Sequence, residues 1–208
     1  MPMLDAMTAH TDSRTGATTG ATTETRTGAS ARTAPTTPAS PTVFHPDPAK
    51  VRRAIERRSV ATMATVSGAG RPHAATVLYD CVDDALFVST HRTSRKARNV
   101  ADNGSAAVTI AVRRLPVGPP ASIQFQSSAA VLANDAPEIV RLAEAGGLRT
   151  ITAHGELDLD GGCFLRIELP DRAVTYALGM SLWQVMRHPL DSAGEVQLRP
   201  GRPSNQPG

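Results

Sequence analysis

The residues best equipped for chemistry in this 208-residue chain lie in the stretch LFVSTHRTSRKARNVADN, residues 86–103. Ser94, Arg95 and Lys96 follow an approach rich in hydroxyls, with Thr90 and Thr93 among them. Backbone N–H groups at a helix start have no intrahelical partner and carry positive potential. Two cations and three hydroxyls placed there make a phosphate site. The alternative is a solvated helix start with two exposed cations; the tripeptide alone favours it, and the strand and hydroxyl-rich turn before it bring the two readings level.

The elements that would position this group can be read locally. Leu86–Thr90 has the bulk of a short strand. The residues His91-Arg92-Thr93 suffice only for a turn. Ser94 is a good N-cap, and Ala97, Val100 and Ala101 then share one helical face. Asn103-Gly104 supplies the stop.

Before this stretch, Asp47 and Pro48 open a short helix with Val51, Ala54 and Ile55 as its apolar stripe, ending near Arg58. Ser59–Val66 and Pro72–Tyr79 read as two strands around a Ser-Gly-Ala-Gly turn. Cys81–Asp84 reads as the turn into the Leu86 strand, giving a three-strand meander. Ser105–Val112, apolar on both faces, reads as a central strand, and Ser122–Leu132 as its neighbour, beyond a Pro/Gly loop at 113–120. Asp135 and Glu138 fit a capping box on a helix buried through Ile139, Leu142 and Ala143. Cys163–Leu169 and Arg172–Leu178 are expected to pair across Pro170-Asp171, with a last helical turn at Ser181–Arg187 that carries Trp183 as a packing anchor. Hairpins dominate this order, so the expectation is a mainly β chain: a split antiparallel barrel of about six to seven strands with flanking helices.

Three parts follow from composition. Residues 1–42, rich in Thr, Ala, Ser, Gly and Pro, are expected to be a disordered tail, with Met3 and Met7 as later possible starts. Residues 43–188 form the folded domain, and 189–208 read as a loose C-terminal tail. The net charge of +3 falls in the middle of the chain, since both tails are neutral, and it suits a small anion better than a long polyanion. Aromatics at 3% leave few stacking platforms for nucleic acid, so no nucleic-acid partner is expected. Two distant cysteines, Cys81 and Cys163, read as reduced thiols of a cytoplasmic protein. No apolar run is long enough to span a membrane, and no secretory leader is visible. The six histidines show no metal-ligand spacing, and no catalytic pair or nucleophile motif stands out.

From Arg58 to Leu178 the chain resembles the pyridoxamine-phosphate-oxidase-like family of FMN-binding split barrels. The strand ending in Thr90, the short turn and Ser94-Arg95-Lys96 carry the resemblance, supported by VATMATVSGAGRPHAATVLYD as the first hairpin. The resemblance implies that Ser94, Arg95 and Lys96 hold the FMN phosphate, with Ser89 and Thr90 also among the cofactor-binding residues. It also implies that Thr76, Val77 and Leu78 lie along the flavin ring, and that a homodimer shares its flavin sites. Deazaflavin coenzyme F-420 and haem are the other cofactors found in such relatives. Where B6 oxidases carry an Arg and a Lys on the second strand, this chain has Ala75 and Asp80, and their C-terminal Arg-x-His is missing. The implied activity is therefore flavin-dependent oxidation or reduction of a small organic substrate other than vitamin B6. A deazaflavin-dependent reductase, or a non-catalytic flavin, deazaflavin or haem binder, is the alternative.

Overall fold

The computed structural model describes residues 46–112, 121–187 and 192–199. The expected tail at 1–42 and the loop at 113–120 lie outside the described residues. The order is α1 (Pro48–Glu56), β1 (Val60–Val66), β2 (Pro72–Leu78), β3 (Asp80–Val82), β4 (Ala85–His91), α2 (Arg95–Asn103), β5 (Ser105–Val112), β6 (Ala121–Ala133), α3 (Pro137–Glu144), β7 (Gly162–Glu168), β8 (Arg172–Tyr176), α4 (Leu182–Arg187) and β9 (Ala193–Gln197). All pairings are antiparallel, and the strands run β2-β1-β5-β6-β7-β4-β3, with β8 joined to β6 and β9 to β8. This is the expected split barrel with flanking helices.

Its division turns on two places. One is β6, whose first half pairs with β5 and β8 and whose second half pairs with β7. The other is Tyr79. Its N–H closes the β1–β2 ladder on the Ser59 carbonyl at 2.8 Å, and its phenol donates to the Ile55 carbonyl at 2.8 Å. Fully buried, it corners the chain from one sheet into the other. The expected three-strand meander is therefore two hairpins. β4 pairs with β3 and β7, not with β2, and Cys81 and Val82 belong to a strand. The turn is Asp83-Asp84 alone, both left-handed (φ 49° and 61°), a two-residue hairpin geometry that aspartate tolerates.

The C-terminal half departs from expectation for the same reason. β7 and β8 do not pair across Pro170-Asp171; they enter different sheets. Ala193–Gln197, read from composition as part of a loose tail, forms β9 on the edge of β8. Arg199 beyond it reaches Glu168 at 3.6 Å and the Asp84 carbonyl at 3.1 Å.

One core fills the barrel, with Met63, Tyr79, Leu86, Val88, Ile110, Ile123 and Leu165 among its members, and α1 adds Val51 and Ile55. A smaller one, with Phe87, Ile139, Leu142, Leu148 and Phe164, lies under α3. β4 is thus buried on both faces. α3 lacks the expected capping box: Ala136 is the N-cap with no side-chain bond, Pro137 takes the first turn, and Glu138 instead accepts from Arg166 at 3.0 Å. β5 is central, as expected, yet only its Ala106, Val108, Ile110 and Val112 face is buried. Trp183 is no packing anchor. It is 73% exposed, with the Arg187 guanidinium 5.9 Å from its ring centre.

Candidate functional site

β4 delivers the chain to the site. Thr90 lies opposite Cys163 on β7, and by alternation it shares the barrel-side face of Leu86 and Val88. Its hydroxyl lies 3.2 Å from Ser94 Oγ, to which it donates. Ser94 caps α2 by accepting the Ala97 N–H at 3.2 Å, and its own N–H closes the turn on the His91 carbonyl at 2.9 Å. Ser94 Oγ thereby accepts two bonds, which leaves its own proton to donate.

The helix start carries no acidic residue in its first turn. The side chains of Arg95 and Lys96 have no hydrogen bond or ion pair to another described residue, and Arg92 and Arg98 flank them. Cations beside the positive end of a helix work against its dipole, at about 0.3–1 kcal/mol each. An anion seated at the helix start reverses that sign. The field is felt below the site too: burial pushes the Cys163 thiol up, while Arg92 and Lys96 pull it down.

The structure brings Thr90, Ser94, Arg95 and Lys96 together. Ser89 is on the same strand but alternates onto the face of Ala85 and Phe87, under α3. Thr76, Val77 and Leu78 lie on β2, an edge strand that contacts both α2 and β4. Thr76 and Leu78 are exposed on the outer sheet face, and Val77 is buried on the inner one. Among the described residues β2 pairs with β1 alone, so its other edge presents backbone N–H and C=O groups for a planar ligand with polar rim atoms.

Several residues of the site are not visible as such in the sequence. Asn99 is buried under α2 and donates to Thr65 Oγ1 at 2.9 Å; Ala101, expected on that face, is exposed. Asn103 donates to the Val66 carbonyl. These two amides fasten α2 to β1. Asp80, where the B6 oxidases have a cation, accepts the N–H groups of Thr150 and Ile151 at 2.8 and 3.1 Å. Its carboxylate holds the loop after α3. His91 is engaged as well: Nδ1 lies 2.8 Å from Thr93 Oγ1 and accepts the Thr93 N–H at 3.3 Å. Among the described residues no group of three or more His, Cys, Asp or Glu is placed to hold a metal ion, and no helix is long and apolar enough to cross a membrane.

No curated protein matches the chain. Among solved structures, the haem-storage protein HutZ of Vibrio cholerae superposes with a TM-score of 0.50 at 18% identity, over 58% of this chain and 87% of that one. A haem-binding protein of Mycobacterium smegmatis gives 0.52 at 20% identity, over 64% of this chain and 55% of that one. These likenesses establish the fold alone. The family described as pyridoxamine 5'-phosphate oxidase matches residues 47–160, a span that runs from α1 through the helix start to the loop before β7. With the split barrel and the hydroxyl-and-cation helix start in place, that match over more than half of the sequence shows that the chain belongs to the pyridoxamine 5'-phosphate oxidase family.

Proposed function

We propose that the chain binds FMN through its phosphate at the start of α2 and acts, as a homodimer, as an oxidoreductase on a small organic substrate other than a B6 vitamer. One observation carries the reading: the side chains of Arg95 and Lys96 make no hydrogen bond or ion pair among the described residues, beside a serine hydroxyl that has a proton left to give. A phosphate dianion takes charge-assisted bonds from both cations and a hydroxyl bond from Ser94. β2 would lie along the ring, and the bound flavin would supply hydride transfer. The protein's part is to bind and orient. Asp80 offers repulsion, not attraction, to a substrate phosphate.

The dimer reading rests on the outer sheet face. Val60 and Leu78, register partners on β1 and β2, are 49% and 51% exposed, and Val174 on β8 is 48% exposed. A second copy would cover them. Flavin is favoured over haem because the histidine beside the helix start is occupied: Nδ1 is held by Thr93, and Nε2 lies against Gly161.

The test is a fluorescence titration with FMN and riboflavin. Each bond to a charged group contributes about 1.5–3 kcal/mol. Arg95→Ala with Lys96→Ala should therefore weaken FMN binding by about a hundredfold to ten-thousandfold, at tenfold per ~1.4 kcal/mol. Riboflavin should bind weakly to both proteins. Equal FMN affinity in the native and double-mutant chains would sink the phosphate site. A Soret band in the purified protein, or release of a deazaflavin on heating, would replace FMN by that cofactor.

A further inference from the structure

Loop residues 155–161, in the segment HGELDLDGG that leads into β7, enter the reading above only through Gly161, yet they touch its central turn. The Arg92 N–H donates to the Gly161 carbonyl at 2.9 Å, and Arg92 Nε donates to the Gly162 carbonyl at 3.3 Å. The loop packs just as closely on the neighbouring histidine. A Cβ built on Gly161 would lie 2.5 Å from His91 Nε2, so the ring would have to shift, and Gly161 has φ +68°, a backbone conformation in which a side chain is strained. The first two residues of the turn, His91 and Arg92, therefore rest on this loop.

The loop has its own anchor. Asn134, just past β6, directs Nδ2 to three carbonyls, those of Glu156 (3.2 Å), Leu157 (3.0 Å) and Leu159 (3.2 Å). Three acceptors share one amide group with two hydrogens, and Asn134 Oδ1 is buried without a hydrogen-bond partner. Gly162 leaves room for this arrangement, since a Cβ there would lie 2.6 Å from Asn134 Nδ2. An amide held with its oxygen unsatisfied is a costly way to close a loop that has no other task.

We propose that Asn134 and the loop it gathers are positioning elements for the phosphate turn, with Asn134 acting on Ser94 and Lys96 through Gly161, Arg92 and His91. The inference rests on the phosphate reading above and names which part of the chain sets that site's geometry. Coupling between an anion at the helix start and the loop is reciprocal: whatever the loop adds to anion affinity, the anion adds to loop order.

Two measurements test it. In Asn134→Ala the FMN affinity should drop between about fivefold and a hundredfold, the usual span of coupling between two sites, with riboflavin affinity unchanged. Asn134→Asp should lose more than the alanine variant, because a carboxylate faces the same carbonyls. In the native chain, FMN should slow hydrogen exchange at the Arg92 and Gly162 amides, and riboflavin should not. The exchange experiment decides the matter if the variants fail to fold. Unchanged FMN affinity in a folded Asn134→Ala, or no FMN-dependent slowing at those amides, overturns the inference while leaving the FMN-over-riboflavin preference of the native chain intact. Loss of that preference in the native chain would overturn the phosphate reading and this one together.

Discussion

Asn99 and Thr65 meet under α2 with Nδ2 and Oγ1 2.9 Å apart, both side chains buried. The bond joins the underside of the helix to β1 directly behind the cation-bearing turn. Removing one partner leaves the other buried and unsatisfied, at a cost of about 1–3 kcal/mol. Asn99→Ala should lower the stability of the chain by that amount in a denaturant melt. Asn99→Ala with Thr65→Val, which removes both polar groups, should recover part of the loss. A double variant no better than the single one would show that the bond is not what orders the pair.

Asp80 yields a second prediction. Its carboxylate receives the Thr150 and Ile151 N–H groups, so it is a loop anchor at a position where the family's B6 oxidases have a lysine. Asp80→Lys should not create pyridoxamine-phosphate oxidation. It should instead destabilise the chain, by roughly 2–5 kcal/mol for two bonds to a charged acceptor plus a cation left facing backbone donors. Turnover of pyridoxamine phosphate by the native chain at micromolar substrate would show that another cation replaces the lysine.

How much of this was legible in the sequence follows from the range of the interactions. The β4–turn–α2 unit is local, and Ser94 caps the helix where its residue type says it should. Gly104 ends the helix in the left-handed conformation (φ 62°). The β1–β2 and β5–β6 pairs were legible from their short connections, but the long-range pairs β1–β5, β4–β7 and β6–β7 were not, because alternation tells which face a strand buries and not which strand lies beside it. Tyr79 looks like the end of β2, and only its buried phenol bond to Ile55 shows it to be a corner. Asn99 reads as a polar break in an apolar face until Thr65 is seen beneath it. Nothing local to Gly161 shows His91 packed against it.

The thiols give a pH dependence with a definite sign. Burial pushes the Cys81 thiol up from 9.0 to about 12, and burial also raises Tyr79 and Cys163. A group whose pKa is raised by folding favours the fold fully below its unfolded value and stops doing so as pH climbs through the folded value. For Cys81 that window runs from 9.0 to about 12. Denaturant melts should therefore show stability falling on the alkaline side, with a shallower fall in Cys81→Ala. Since the thiolate is the nucleophile, iodoacetamide should label both cysteines far more slowly in the folded chain than in the unfolded one. Equal rates would mean that neither thiol is held neutral.

The homodimer proposed above can be tested at a place that is not part of the phosphate site. Val174 sits on β8 with Gln124 and Glu195 as its register partners, on the same open sheet face that carries Val60 and Leu78. In a single chain Val174→Lys should be harmless, because the new cation stands across from Glu195 and cross-strand pairs of opposite charge contribute roughly 0.2–1 kcal/mol. In a dimer packed through this face the same cation enters a dry contact, where burying a poorly paired charge costs several times that amount. Val140, 40% exposed on α3, lies on a different surface and serves as the control. Sedimentation should give a dimer for the native chain and for Val140→Lys, and a dissociation constant raised by at least about tenfold for Val174→Lys, a shift of ~1.4 kcal/mol or more. Because the flavin sites are proposed to be shared, FMN affinity should fall with the dimer in Val174→Lys and recover at high protein concentration. A native chain that sediments as a monomer with FMN bound would rule out the shared-site arrangement. A Val174→Lys variant as dimeric as the native chain would place the contact on another surface.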